Sequence, residues 1–319
     1  MPPQIVSCAS CGTQFDIAGV PPGMQAGCPA CRAPYGAPPG AAAATPLPAA
    51  VAVPIPASSP DDLLLHPSEK PLFWTCVTFG IVVYLLVAAA TYFTYGVFLV
   101  YPLAAFLFFL VMHGLFIGSL RGNGIRVSAT QFPEVDRMAR EIAGQMGLIP
   151  VPAVYVLESG GILNAFATRF LGRDFVAIYS EILRLAYEQG EAAVAFVVAH
   201  ELAHVKRGHL KRRWLLLPSR LLPFLGKAYS RACEYTCDRY GVKHRPEGAV
   251  PGLLALAAGG SLYRKVNVQE YQNQPATERG FWIWLAEKLS THPNLPKRIA
   301  AAVHLGAVPP TAVPPTAAA

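Results

Sequence analysis

His200-Glu201-Leu202-Ala203-His204 sets two imidazoles four residues apart with a carboxylate between them. On a helix, positions i and i+4 share one face, so both rings can reach a single metal ion, and the Glu stands where it can take a proton from water beside that ion. Residues 192–199, just before it, are wholly apolar, which suits a helix carried into a core. A helix with polar residues at solvent positions is the competing account of the two His residues, but it leaves unexplained why they sit in so apolar a segment.

Two imidazoles leave zinc one ligand short of the three that a catalytic site keeps. In Glu234-Tyr235-Thr236-Cys237-Asp238 the two carboxylates again stand at i and i+4. Glu234 is assigned to the metal. Asp238 is placed behind it, accepting the ring N–H of a ligand His and so fixing its tautomer. A solvated helix face, or surface pairs with Arg231 or Arg239, is the alternative for both. Cys233 and Cys237 share the i, i+4 spacing but lie about 100° around the helix from the carboxylates, so they read as small core residues. Zinc lowers the pKa of a coordinated water toward neutrality, and Glu201 is then the general base that takes the proton and later delivers it to a leaving amine. Such a site hydrolyses peptide bonds without a covalent intermediate.

Of 319 residues, 53% are hydrophobic and 14% charged, too apolar for an ordinary soluble protein. Residues 71–120 hold no Asp, Glu, Lys or Arg, enough for a transmembrane hairpin with spans near 72–93 and 99–120. Gly96 and Pro102 offer the break, and Tyr92, Tyr95 and Tyr101 an aromatic belt at the far interface. Lys70, Arg121 and Arg126 flank the hairpin, which puts both ends on the cytoplasmic side of a cell membrane, with the lipid bilayer as partner. A buried hairpin in a soluble protein is the alternative, and fifty uncharged residues argue against it. The net charge is +7, but the basic residues are scattered apart from Lys206, Arg207, Lys211, Arg212 and Arg213, read as a solvated or lipid-facing helix end. No nucleic acid is expected.

Cys8-x-x-Cys11 and Cys28-x-x-Cys31 have the spacing of a four-thiolate zinc site. Disulfides compete with that reading, yet the first thirty residues show no secretory signal, and a reducing compartment is expected. Residues 1–35 thus read as a zinc ribbon held together by a structural ion, with Gly12 at a tight turn. An Ala/Pro-rich linker, 36–70, follows. Residues 121–305 read as one α+β domain, mainly helical with a small sheet. Thr130-Gln131-Phe132-Pro133 opens a helix with Val135, Met138, Ala139, Ile142 and Met146 on one stripe and Gly147 at its end. Strands are expected at 153–157, 162–168 and 174–179, with turns at Ser159-Gly160-Gly161 and Leu171-Gly172-Arg173, then helices at 180–188 and 191–213. The tail, 306–319, has nothing to bury and is expected to be disordered.

Asn164-Ala165-Phe166-Ala167-Thr168, the HELAH run through His209, Ser230 to Asp238, and Ser290-Thr291-His292-Pro293 with Arg298 occur in one order over residues 120–300. In these stretches the chain resembles the HtpX-like family of membrane zinc metallopeptidases, relatives of the CAAX prenyl endopeptidases. The resemblance implies a gluzincin fold with zinc on His200, His204 and Glu234, and Glu201 as base. It also implies that substrate pairs as an added strand beside Asn164, Ala165 and Phe166. His292 would assist the oxyanion; a histidine merely starting a helix before Pro293 weighs equally. Family members often carry further membrane helices between the HExxH motif and the third ligand. Here residues 214–225 are too few to span, so an interfacial or cleft-lining segment is expected. The expectation is a membrane-anchored zinc endopeptidase with a catalytic and a structural Zn2+, acting on protein or peptide substrate. Turnover of membrane or misfolded proteins follows from analogy, and trimming of lipidated C-termini is the alternative chemistry. An inert membrane scaffold, its ribbon recruiting a protein partner, is the competing class.

Overall fold

A computed structural model describes residues 5–8, 11–16, 26–31, 34–35, 61–158, 160–161, 164–260 and 262–307. The chain divides into two compact units, Met1–Val51 and Ala52–Ala319. In the first, β1 (Ile5–Ser7) pairs antiparallel with β2 (Gln14–Asp16), and β3 (Ala26–Gly27) with β4 (Pro34–Tyr35). One cysteine pair lies in the connection of each hairpin. Gly12, at φ +74°, takes the left-handed conformation that closes the first turn, its N–H donating to the Cys8 carbonyl at 2.9 Å. Residues 36–60 of the expected linker and 308–319 of the expected tail lie outside the described residues. Residues 61–70, counted as linker from sequence, belong instead to the second unit: Asp61–Leu64 forms a 3-10 turn, and Leu64 is fully buried in the main core.

Two long apolar helices follow, α1 (Glu69–Phe93) and α2 (Val100–Asn123). Both are long and apolar enough to cross a membrane, and only 11% of the most apolar window of each is buried. A core helix would be mostly covered. These present Leu85, Leu86, Phe93, Phe108, Phe109 and Leu115 outward, a surface that calls for an apolar solvent. The chain reverses at Tyr95 and Gly96, both at positive φ. Pro102 is no break; it falls in the first turn of α2, where its missing N–H has no partner to lose. Residues beyond Arg213 pack on both helices. The Tyr84 hydroxyl donates to the Trp214 carbonyl at 3.0 Å, Trp214 meets Phe106 edge-on at 5.3 Å, and the Leu215 carbonyl lies over Gly80.

The sheet holds β5 (Ile125–Arg126), β6 (Ala153–Leu157), β7 (Ala165–Phe170) and β8 (Arg173–Tyr179) in the order β5-β6-β8-β7. Only β6 and β8 run parallel. Alternation along the strands serves two layers. Val154, Val156, Val176 and Ile178 face the main core with the stripe of α3 (Pro133–Gln145), while Tyr155, Phe175, Ala177 and Phe166 pack on Ile117 and Leu120 of α2. The strand expected at 162–168 corresponds to β7, which runs on to Phe170. Leu171 and Gly172 both have positive φ, the pattern of a two-residue hairpin turn, so the pairing extends to Phe170 and Arg173. Ile162 and Leu163 lie outside the described residues.

Among the described residues seven more α-helices follow in this unit: α4 (Ser180–Gln189), α5 (Ala192–Lys206), α6 (Leu225–His244), α7 (Pro246–Ala258), α8 (Val268–Thr277), α9 (Phe281–Leu289) and α10 (Leu295–His304). Nearly all of α5 is buried, as its uniformly apolar run requires. Glycines bring α6 and α7 against it. A Cβ on Gly248 would lie 1.9 Å from the Ala192 carbonyl oxygen, and one on Gly241 2.4 Å from the Phe196 ring. The sequence reading carried α5 to Arg213, but it ends at Lys206. Gly208, at φ +68°, lets His209 N–H reach the His204 carbonyl and Gly208 N–H the Val205 carbonyl, the paired bonds of a glycine C-cap. That reversal folds His209 back toward His204.

Candidate metal centre

α5 and α6 cross with His200, His204 and Glu234 facing one another. His200 Nε2 lies 3.4 Å from Glu234 Oε2, and His204 Nε2 lies 3.4 Å from Glu234 Oε1. These separations are long for charge-assisted hydrogen bonds. They match the roughly 3.3–3.4 Å between ligand atoms held tetrahedrally at zinc bond lengths near 2.0–2.1 Å. Glu234 Oε2 is buried without a hydrogen-bond donor. The donor set, two imidazoles and a carboxylate, therefore fits zinc in both chemistry and spacing.

His200 is backed directly by a carboxylate, and His204 through a second histidine. His200 Nδ1 lies 2.9 Å from Asp238 Oδ1, and Arg298 of α10 grips Asp238 from behind, Nε to Oδ2 at 2.8 Å and Nη2 to Oδ1 at 2.7 Å. Arg298 Nη1 is also 3.3 Å from Glu234 Oε2. The His200 Nδ1 contact is close but poorly aligned for a hydrogen bond, and a hydrogen placed on it toward Asp238 leaves the Nε2 lone pair aimed at the ligand cluster. For His204 the partner is His209, with Nδ1 to Nδ1 at 3.1 Å, and His209 Nε2 reaches Glu69 Oε1 at 3.2 Å. Thr236 donates its hydroxyl to the other oxygen of Glu69 and accepts the His66 N–H at 2.9 Å. If His204 keeps its Nε2 lone pair free, its Nδ1–H must donate to His209, whose Nε2–H then donates to Glu69. The first residue of α1 thus orients a residue of the cluster through one intermediary.

Burial and charge act in opposition here. Burial disfavours an imidazolium at His200, yet the Asp238 and Glu234 carboxylates override it and hold the pKa up at about 10 in the absence of metal. Burial likewise works against the charges of Glu234 and Asp238. Glu234 is held well below the usual carboxylate range by His200, His204 and Arg298, and Asp238 is lowered by Arg298 and His200. Such a field favours a cation. Burial also brings His209 down to about 4, so it stays neutral, and pushes the Cys237 thiol up. Cys233 and Cys237 are buried, the core positions expected of them.

Glu201 is buried on α5 and has no hydrogen bond or ion pair among the described residues, which leaves its carboxylate open to a proton. His292 stands on the open side, 61% exposed at the side chain, with Nε2 3.4 Å from Glu234 Oε1. A cavity of about 480 Å3 lined by His204, Tyr229 and Thr291 opens beside the cluster. β7 is an edge strand. The Asn164 carbonyl accepts Tyr179 N–H at 3.0 Å and its side chain accepts Ala165 N–H at 2.9 Å, while the Phe166 ring packs on Phe116 and Tyr179. Of the three, Phe166 is thus engaged in packing through its ring. Arg298 and Glu69 were given no role from sequence. Each stands beside a lysine, Glu69 by Lys70 and Arg298 by Lys297, so no local pattern marks either as the one that turns inward; Arg298 is marked only by its place in the stretches that resemble the family.

In the first unit, Cys8 and Cys31 sulfurs are 3.5 Å apart and those of Cys11 and Cys28 3.6 Å. All four fall within 4.8 Å of one another, too far for disulfides and near the roughly 3.8 Å of tetrahedral zinc thiolates with bonds near 2.3 Å. Hydrogen bonding to Thr13, side chain and backbone, draws the Cys11 thiol down to about 6.

The sequence pattern of peptidase family M48 matches residues 129–219 and 214–305, more than half of the chain. A protease HtpX homolog of Ralstonia nicotianae (strain ATCC BAA-1114 / GMI1000) is 41% identical over 88 residues, covering 26% of this chain and 28% of that protein. A second, from Ralstonia pickettii (strain 12J), is 40% identical over the same length and shares. The chain thus spans little more than a quarter of these relatives. The crystal structure of S. mikatae Ste24p superposes with a TM-score of 0.42 at 13% identity, covering 75% of this chain and 63% of that one, too remote to place any residue.

Proposed function

Because the chain belongs to peptidase family M48, we propose that it is a membrane-anchored zinc endopeptidase that uses His200, His204 and Glu234 as ligands and Glu201 as general base. The 3.4 Å spacing of both Nε2 atoms from the Glu234 carboxylate carries this reading. Bound there, zinc would supply a Lewis acid that polarises a carbonyl and acidifies water. Glu201, free of partners, takes the proton of the attacking water and returns it to the leaving amine. Asp238 and the His209–Glu69 pair hold the two imidazoles in the tautomer that presents Nε2. His292, at the open side, donates to the developing oxyanion. Substrate pairs along the free edge of β7 from Asn164 to Phe166, close to α5. Four cysteines bind a second, structural zinc, and α1 and α2 cross the membrane with both ends in the cytoplasm.

The test follows cleavage of an unfolded protein by the full chain in detergent, wild type against Glu201→Gln, with zinc or with a chelator. Only zinc-loaded wild type should cut, with Glu201→Gln retaining its zinc. Cleavage by the variant at the wild-type rate would remove Glu201 from the mechanism. A wild type that holds zinc at this site yet cuts nothing would point to a dedicated substrate or a latent state, and a site that takes up no zinc would favour the scaffold.

A further inference from the structure

Arg213 and Arg220 stand on the segment that packs against the membrane hairpin and have no carboxylate partner among the described residues. They line a cavity of about 470 Å3 whose other walls include Phe109, Met112 and Phe116 of α2 and Trp214. A third guanidinium there, Arg169, is already taken by Asp174 at 2.9 and 2.7 Å. Phe109, Met112 and Phe116 share one face of α2. At 1.5 Å per residue they lie about 10–21 Å inward from its end at Asn123, within the stretch long enough to cross a bilayer. Arg213 and Arg220 line this cavity together and also share the one beside His204, and partial burial followed by the charge of Arg213 draws Arg220 below the ordinary guanidinium value. Neighbouring cations beside an apolar cavity, at the level of a membrane span, are costly until an anion joins them.

We propose that this cavity binds an anionic lipid, with its phosphate between Arg213 and Arg220 and an acyl chain along the Phe109–Met112–Phe116 face. Charge complementarity selects the headgroup, and the wall supplied by α2 selects the chain. Leu210, Arg213 and Arg220 also line the cavity that reaches His204, so the bound lipid forms part of the wall on the substrate side. Peptide hydrolysis is not required for the inference; seating of the hairpin in a bilayer is.

Trp214 lines the site and reports on it. The full chain carrying Trp74→Phe, Trp282→Phe and Trp284→Phe is held in neutral detergent and titrated with phosphatidylglycerol or phosphatidylcholine bearing brominated acyl chains. Phosphatidylglycerol should quench Trp214 at a mole fraction about tenfold lower than phosphatidylcholine. Arg213→Gln with Arg220→Gln should abolish that preference, and the paired Lys substitutions should keep most of it. Should the double Gln variant lack the wild-type thermal transition, Arg220→Gln by itself carries the comparison. Glycerol phosphate without chains should fail to displace the lipid. Equal quenching by the two lipids, or a preference untouched by the Gln substitutions, would overturn the proposal. So would displacement by glycerol phosphate, which assigns the site to free phosphate. Displacement by a peptide with a free C-terminal carboxylate but not by its amide would assign it to substrate.

Discussion

Replacing Asp238 with Asn is expected to weaken zinc binding at His200, His204 and Glu234 by about 10–100-fold. Asp238 Oδ1 lies 2.9 Å from His200 Nδ1, and both its oxygens are engaged by Arg298. A hydrogen bond to a charged partner contributes about 1.5–3 kcal/mol, and about 1.4 kcal/mol is a factor of ten in affinity. Losing the charge but not the acceptor should therefore cost between one and two decades. The Asn carbonyl can still accept from His200, so the ring should keep its place, but the Asn NH2 then faces the Arg298 Nε–H and the metal-free fold should be less stable. The assay is competition between the full chain and a chromophoric chelator of known affinity, in a background with Cys8→Ser and Cys28→Ser so that one site is counted. Thermal unfolding of the metal-free variant serves as control. A zinc affinity within about threefold of the parent, measured where the variant is fully folded, would refute the argument that Asp238 acts through His200.

Gly248→Ala forces a Cβ to 1.9 Å from the Ala192 carbonyl oxygen, backbone against backbone, where no side chain can give way. It should destabilise the protein by about 1–3 kcal/mol or more, seen as a lowered unfolding midpoint in detergent. His244 is drawn down to about 4 by burial and by the charges of Lys243 and Arg245. The unfolded chain, titrating near 6.5, binds a proton that the folded chain refuses, so stability should fall as pH drops from about 6.5 to 4 and level off below. His244→Gln should flatten that dependence by about 1 kcal/mol once solvent screening is allowed for, measured as unfolding midpoint against pH. Cys28→Ser removes one thiolate of the four-sulfur cluster. Metal analysis should then show the zinc content falling from two equivalents to one, with the second still removable by chelator.

Local periodicity made much of this protein legible in its sequence. Spacings of four residues put His200 with His204, and Glu234 with Asp238, on shared helix faces whatever lies around them. The absence of charge from 71 to 120 reflects a solvent preference that holds residue by residue, and two CxxC pairs carry their own turn geometry. The turn at Leu171-Gly172 was readable because a left-handed residue ends an element locally, whereas the same signal at Gly208 was passed over and α5 was carried on to Arg213. Only the tertiary structure joined Glu69 to His209 across 140 positions and Arg298 to Asp238 across 60. It likewise set the sheet order that leaves β7 at an edge, and seated residues beyond Arg213 against α1 and α2. Such pairings leave no periodic trace in the chain. They arise when Gly241 and Gly248 let α6 and α7 close on α5, and the buried charges that this closure gathers must then find one another.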